Sequence, residues 1–171
     1  VQGLTPLGQA GLLMARYFDA YHPPREALGA LSILAHAHAV QNPYAMYRKE
    51  ISSNAYLQAG LVCDPLNLFD AAPYADGAAA LLLTSDKKIG MAGGKELIEI
   101  SASNSTIDAL ALHDRPDAIA FSAVTISIQK ALTQAGISWD AISLFELWDA
   151  YSIFGILTVE ACGLAARGEG W

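Results

Sequence analysis

The sequence contains little charge for its length. Charged residues make up 16% of the 171 residues, acidic residues outnumber basic ones, and the net charge is −7. A nucleic-acid-binding surface requires clustered Lys and Arg, so this balance argues against a nucleic-acid partner. Typical soluble domains are about 25% charged. With 53% hydrophobic residues, the chain is expected to have a well-buried core and a surface that another subunit or further chain partly covers.

Long apolar runs and patterned cysteines are also missing. No run reaches the roughly 18 residues that a membrane span requires, and no charged-then-apolar leader is visible. We therefore expect no membrane span, no secretory signal and a cytoplasmic location. The two cysteines, Cys63 and Cys162, lie far apart in unlike contexts. They fit neither a disulfide framework nor a metal-site spacing, so no metal is predicted.

The most informative stretch runs from Ile142 to Gly163. It opens with an apolar run of strand length, Ile142–Leu147, and it continues as a helix that Gly163 is suited to end. The spacing places the apolar residues of this helix on one face: Ile153, Ile156, Leu157, Ala161 and Leu164.

Residues 148–152 lie between this strand and this helix. The carboxyl end of a strand and the amino end of the next helix form the place where open α/β sheets bind ligands. The N–H groups of the first helical turn favour negative charge there. The alternative is that Asp149 or Ser152 only caps the helix, which is the usual task of such residues.

The remaining chain divides into helical, extended and irregular parts. The patterns predict helices from Pro6 to about Tyr21, from about Pro24 to Val40, and from Phe121 to Gly136. Ala78–Leu83 is continuously apolar, as in a strand buried on both faces, and Glu96–Ala102 suggests a second strand. Residues 42–76 and 104–120 are predicted to be irregular, and Lys87–Gly94 to be a connector.

Several motifs in this order resemble those of the thiolase superfamily, and most closely those of the archaeal and sterol-carrier-protein-type thiolases. The motifs are Asn42–Ile51, Asp64–Leu66, Leu68–Asp70, Asp76–Ala80, Phe145–Tyr151, Glu160–Leu164 and Arg167–Gly170. Together they extend over nearly the whole chain.

The resemblance implies an α/β chain that is the central part of a layered αβαβα thiolase fold. In that arrangement residues 1–75 are a helical region covering the coenzyme A site, and residues 76–92 hold the last strand of the N-terminal half. Residues 93–171 then begin the C-terminal half, with Gly93-Gly94 near the boundary.

The activity that the resemblance implies is acyl transfer that makes or cleaves a carbon–carbon bond next to a thioester. The family's nucleophilic cysteine segment and its Gly-His-Pro segment have no counterpart in this sequence. We therefore expect a longer protein to be the enzyme and this chain alone to be inactive. Two alternatives remain: a retro-aldolase acting on a β-hydroxyacyl-CoA, and a non-catalytic scaffold subunit that binds acyl-CoA.

The resemblance assigns roles to four consecutive residues. Trp148 occupies the oxyanion-site position, where the family has His or Asn. Its indole can donate one hydrogen bond but cannot accept one or titrate, so it either polarises the thioester or only fills space. Asp149 is implied to orient the loop, and Ala150 to pack against pantetheine. Tyr151 replaces Phe and adds a hydroxyl group that can donate to substrate.

Other binding predictions concern cations and partners. Arg48 and Lys49 either contact coenzyme A phosphates or form a solvated face. Coenzyme A or acyl-CoA is expected as substrate, with no permanently bound cofactor. The family implies a homodimer or tetramer, and some relatives pair with a zinc-bearing OB-fold protein.

Overall fold

The structure is a computed structural model that describes residues 3–85 and 98–171. Its helices are α1 (Pro6–Tyr21), α2 (Arg25–Ala39), α3 (Ser53–Leu57), α4 (Ser122–Ala135) and α5 (Ser152–Ala161). Two short strands, β1 (Leu61–Cys63) and β2 (Leu66–Asn67), pair antiparallel. Short 3₁₀ turns cover Leu68–Asp70, Leu112–Asp114 and Trp139–Ala141.

The predicted helices are confirmed, because the signals that begin and end them are local. Thr5 caps α1 by accepting a 3.1 Å hydrogen bond from the N–H of Gly8, and Pro6 occupies the first helical position. Gly136 ends α4 in the left-handed region, at φ +67°, a conformation that glycine adopts without steric cost.

The core forms where α5 packs against α1, α2 and α4. Three of the residues predicted for the apolar face of α5, Ile153, Ile156 and Leu157, are fully buried, whereas Leu164 lies beyond the helix and is exposed. The other core residues are Ala10, Leu13, Met14, Tyr17, Leu28, Leu66 and Ile119. Helix α5 is therefore the element around which the described chain is packed.

The predicted strands at Ala78–Leu83 and Ile142–Leu147 are wrong for the described chain. Both segments lie outside regular secondary structure, and Leu82 is 92% exposed. A strand needs a neighbour to pair with its N–H and C=O groups. Within residues 3–85 and 98–171 the one sheet is the β1–β2 hairpin. The two apolar segments therefore have no neighbouring strand there with which to pair.

The second predicted strand and the connector before it are described only in part. Residues 98–102 are not a strand, and Ile98 is exposed. Residues 96 and 97, the connector Lys87–Gly94 and the predicted boundary at Gly93-Gly94 lie outside the described residues.

The segment 42–76, predicted to be irregular, contains α3 and the β1–β2 hairpin. Helix α3 has one clear local signal, because the Ser52 hydroxyl accepts a 3.1 Å hydrogen bond from the N–H of Ala55. With five residues it is too short for apolar spacing to reveal it.

Candidate active site

The four residues assigned by resemblance lead directly into α5. Trp148 and Asp149 are exposed, Ala150 and Tyr151 are half-buried, and the helix begins at Ser152. The indole of Trp148 is 72% exposed. It is therefore not enclosed in a hydrophobic interior.

The backbone of this segment is held by the chain that follows the Leu68–Asp70 turn. The N–H of Ala72 donates a 2.9 Å hydrogen bond to the carbonyl oxygen of Ala150. Ala71 and Tyr151 form an isolated antiparallel bridge. Residues 71–72 thus run beside residues 150–151 and fix the start of α5 from one side.

Side chains strengthen the same junction. Asp70, which is 2% exposed, accepts hydrogen bonds at Oδ1 from the hydroxyl groups of Tyr56 (2.8 Å) and Ser152 (2.6 Å). Its Oδ2 accepts a 2.8 Å hydrogen bond from the N–H of Asn67. The Asn67 side chain in turn accepts from the N–H of Phe69, which completes a capping box.

The prediction that Asp149 or Ser152 caps α5 is wrong. The N-cap residue is Tyr151, no side chain caps it, and the first turn contains no acidic residue. The Ser152 hydroxyl donates to Asp70 instead. The first turn of this ten-residue helix therefore has no side-chain cap and no acidic residue of its own, and the Asp70 carboxyl group reaches it through the Ser152 hydroxyl.

Aromatic rings form one wall of the candidate site. The ring of Trp148 stacks on Phe154 with centroids 5.1 Å apart and an interplanar angle of 29°. Tyr151 meets the same Phe154 ring edge-on, at 5.3 Å. Burial, and then the nearby Tyr74, raise the pKa of Tyr151. Its hydroxyl therefore stays a neutral hydrogen-bond donor near pH 7.

Gly155 allows α2 to approach this wall. A Cβ atom on Gly155 would lie 2.7 Å from Cδ1 of Leu31 and 3.5 Å from Cβ of Asp149. The segment before α5 and the helix α2 therefore meet on the same side of α5, at a position that only glycine fits without displacing a neighbour.

Arg48 and Lys49 lie after α2 with exposed side chains. The Nδ1–H of His36 donates a 2.8 Å hydrogen bond to the carbonyl oxygen of Lys49, which ties this backbone to α2. Among residues 3–85 and 98–171, no hydrogen bond or ion pair links either cationic side chain to Trp148–Tyr151. The structure does not bring the two predicted parts of the site into contact.

A cavity of about 460 Å³ lies between α4 and α5, away from these residues. Its lining includes Thr125, Gln129, Cys162 and Arg167. Burial raises the pKa of the Cys162 thiol, which disfavours the thiolate that a nucleophile requires. The Arg167 guanidinium is occupied by a 2.6 Å ion pair with Asp117.

The described part of the chain contains neither a cluster that could hold a metal ion nor a helix that could span a membrane. No group of three or more His, Cys, Asp or Glu side chains there is arranged to hold a metal ion. None of the helices within those residues combines the length and the apolar character needed to span a membrane.

Sequence reasoning missed Asp70 as part of this site. A local signal was present, since Asn67 and Asp70 have the spacing of a capping box. That signal predicts the turn but not the hydrogen bond to Ser152, which lies 82 residues further along the chain.

Comparison with known proteins shows what this chain is similar to. Residues 104–171 match the family model described as thiolase C-terminal domain-like. The chain is 31% identical over 169 residues to the acetyl-CoA acetyltransferase of Methanothermobacter thermautotrophicus, covering 99% of this chain and 44% of that protein. It is 29% identical over 171 residues to the benzoylsuccinyl-CoA thiolase subunit BbsB of Thauera aromatica, covering 99% and 44%. Sterol carrier protein 2 of Homo sapiens is 30% identical over 158 residues, covering 90% and 29%.

A solved structure agrees with the fold. The Ltp2-ChsH2(DUF35) aldolase superposes with a TM-score of 0.81, covering 99% of this chain and 46% of that chain at 20% identity. At that identity the likeness concerns the fold alone. The helices and the small sheet of the described chain are therefore compatible with part of a thiolase-like α/β fold.

These findings confirm the predicted resemblance to the thiolase superfamily. Within the superfamily its relatives include archaeal acetyl-CoA acetyltransferases and sterol carrier protein 2. The chain spans less than half the length of these curated relatives.

Proposed function

We propose that this chain is part of a thiolase-like acyl-CoA acyltransferase that makes or cleaves a carbon–carbon bond next to a coenzyme A thioester. The observation that carries the proposal is the exposed Trp148 indole at the uncapped amino end of α5. Relatives named acetyl-CoA acetyltransferase and thiolase support the reaction class.

The chemistry requires stabilisation of negative charge on oxygen. When a proton leaves the carbon next to the thioester, the electron pair moves onto the thioester oxygen. In this proposal the indole N–H of Trp148 faces that oxygen. A preorganised donor of this kind lowers the activation free energy by roughly 3 kcal/mol. The neutral Tyr151 hydroxyl is a second donor toward substrate.

The neighbouring residues shape the binding region in this proposal. Ala150 presents a small side chain against which pantetheine packs, and Asp149 orients the loop beside Gly155. Arg48 and Lys49 carry exposed positive charge, which suits coenzyme A phosphates. Coenzyme A is a substrate here and not a bound cofactor. The layered αβαβα arrangement, the domain division at residues 75 and 92, and the dimeric or tetrameric assembly belong to the same proposal.

The experiment is a substrate comparison on the full-length protein that contains this chain. We expect coenzyme A-dependent cleavage of a 3-ketoacyl-CoA, measured as loss of the ketoacyl-CoA and appearance of a shortened acyl-CoA. Cleavage of a 3-hydroxyacyl-CoA to an aldehyde or ketone without that activity would instead indicate a retro-aldolase. Acyl-CoA binding without any turnover would indicate a scaffold subunit. A copurifying zinc-bearing OB-fold partner would accompany either of the last two results.

A further inference from the structure

We propose that Asp70 is a positioning residue for the candidate active site, acting through Ser152 on the Trp148–Tyr151 segment. This inference rests on the proposed function for its catalytic consequence. The claim that Asp70 holds the start of α5 rests on the structure alone. The residue touches none of the atoms that would react, so it is not a catalytic residue.

Both oxygens of the Asp70 carboxyl group accept hydrogen bonds. Oδ1 accepts from the hydroxyl groups of Tyr56 and Ser152, and Oδ2 accepts from the N–H of Asn67. Within residues 3–85 and 98–171 no Lys or Arg forms an ion pair with it. Hydrogen bonds from three neutral groups therefore surround this buried carboxyl group, and a network whose members are all satisfied holds its parts rigidly.

The Asp70 carboxyl group links several parts of the chain. Its partners come from three separate elements: Tyr56 from α3, Asn67 from β2 and Ser152 from the first position of α5. The residues that follow Asp70 pair with the residues that precede Ser152 through the 2.9 Å hydrogen bond from Ala72 to Ala150. The Ser152 hydrogen bond and this backbone pair thus hold both sides of Tyr151.

The start of α5 supports the Trp148 ring. Trp148 lies only two residues before Ala150, and its ring stacks on Phe154 in the first turn of α5. A shift or rotation of the start of α5 therefore moves both the support of the indole and the backbone that carries it. Displacement of a catalytic group by about 1 Å can lower a rate by as much as 100-fold.

The test uses the full-length protein and two substitutions on this link. Ser152→Ala removes the hydroxyl group, and Ser152→Thr keeps one. Tyr17→Phe is the matched control, because it removes a buried hydrogen bond to a carboxylate at the other end of α5, on Glu160. For Ser152→Ala we expect kcat to fall about ten-fold with the KM for acyl-CoA unchanged. Ser152→Thr should restore kcat, and Tyr17→Phe should lower Tm without changing kcat.

A second readout does not depend on turnover. In protein labelled with fluorotryptophan, the ¹⁹F resonance of Trp148 is identified by its loss in Trp148→Phe. We expect Ser152→Ala and Asp70→Asn to shift or broaden this resonance, and Tyr17→Phe to leave it in place. If Asp70→Asn fails to fold, Ser152→Ala carries the test.

The outcomes separate the two proposals. An unmoved Trp148 resonance in Ser152→Ala overturns the positioning role, whatever the activity. A moved resonance in a protein with no activity on acyl-CoA supports the positioning role and contradicts the proposed function. Wild-type kcat in Ser152→Ala, alongside a large loss in Trp148→Phe, contradicts the positioning role and leaves the proposed function standing.

Discussion

The Tyr17 hydroxyl in α1 donates a 2.5 Å hydrogen bond to Oε1 of Glu160 in α5, across 143 residues of sequence. Both side chains are buried, and the same Oε1 accepts a 3.0 Å hydrogen bond from the N–H of Gly170. The glutamate of the predicted family motif therefore links the first helix, the central helix and the C-terminal segment.

Removal of this hydroxyl group is expected to destabilise the protein. Tyr17→Phe keeps the ring but leaves the Glu160 carboxylate with one fewer donor, and such a loss costs about 1–3 kcal/mol. Chemical denaturation followed by circular dichroism measures the change. Tyr44→Phe serves as the control, because Tyr44 is exposed and its hydroxyl supports no core element. Equal stability of the two variants would contradict the assigned role of the Tyr17–Glu160 bond.

Close packing at Gly29 gives a second prediction. A Cβ atom there would lie 2.7 Å from Cδ1 of the Tyr56 ring, which cannot move away because its hydroxyl is bound to Asp70. Gly29→Ala should therefore destabilise the protein by about 1–3 kcal/mol, although alanine favours helix. Gly8→Ala is the matched control, since its nearest neighbour is the exposed Leu4 side chain, which can rotate. A stabilising effect of both substitutions would show that the Tyr56 ring is mobile.

Alkaline pH should weaken the fold through two buried phenols. Burial raises the pKa of Tyr17, with a further contribution from Glu160, and raises the pKa of Tyr56, with a further contribution from Asp70. The folded-state pKa lies above the unfolded value of about 10. Stability from these groups is therefore fully present below about pH 10 and is lost as the pH rises above that value.

The measurement is Tm as a function of pH, with tyrosinate absorbance recorded in parallel. Wild-type Tm should fall above about pH 10, and the fall should be shallower in the double variant Tyr17→Phe, Tyr56→Phe. The exposed-site variant Tyr44→Phe should follow the wild type. If Tm fell equally with pH in all three proteins, the loss of stability at alkaline pH could not be assigned to Tyr17 and Tyr56.

The helices could be predicted from the sequence because their signals are local. Proline at the start of α1, a left-handed glycine after α4 and the apolar spacing of α5 each lie within the element that they define. The strands could not be predicted in the same way. Ala78–Leu83 has the composition of a buried strand, but its state depends on a neighbouring strand that the described chain does not provide.

The candidate site likewise has a part that depends on local sequence and a part that depends on long-range contacts. Trp148–Tyr151 could be found from sequence because its motif is contiguous and precedes an amphipathic helix. The support from Asp70 could not, since the Ser152 hydrogen bond joins residues 82 apart. The uncapped start of α5 was also not predicted. Serine is a common N-cap residue, but the fold places the Ser152 hydroxyl against Asp70 instead.

The most direct test of the account is the kinetics of Trp148→Phe in the full-length protein on a 3-ketoacyl-CoA. Phenylalanine keeps an aromatic ring against Phe154 and removes the indole N–H together with part of the ring. The matched control is Trp139→Phe, which removes an indole hydrogen bond to the Cys162 carbonyl oxygen. We expect kcat to fall about 100-fold in Trp148→Phe with KM nearly unchanged, and to stay at the wild-type value in Trp139→Phe. Wild-type kcat in Trp148→Phe would contradict the claim that this indole stabilises the reacting thioester oxygen.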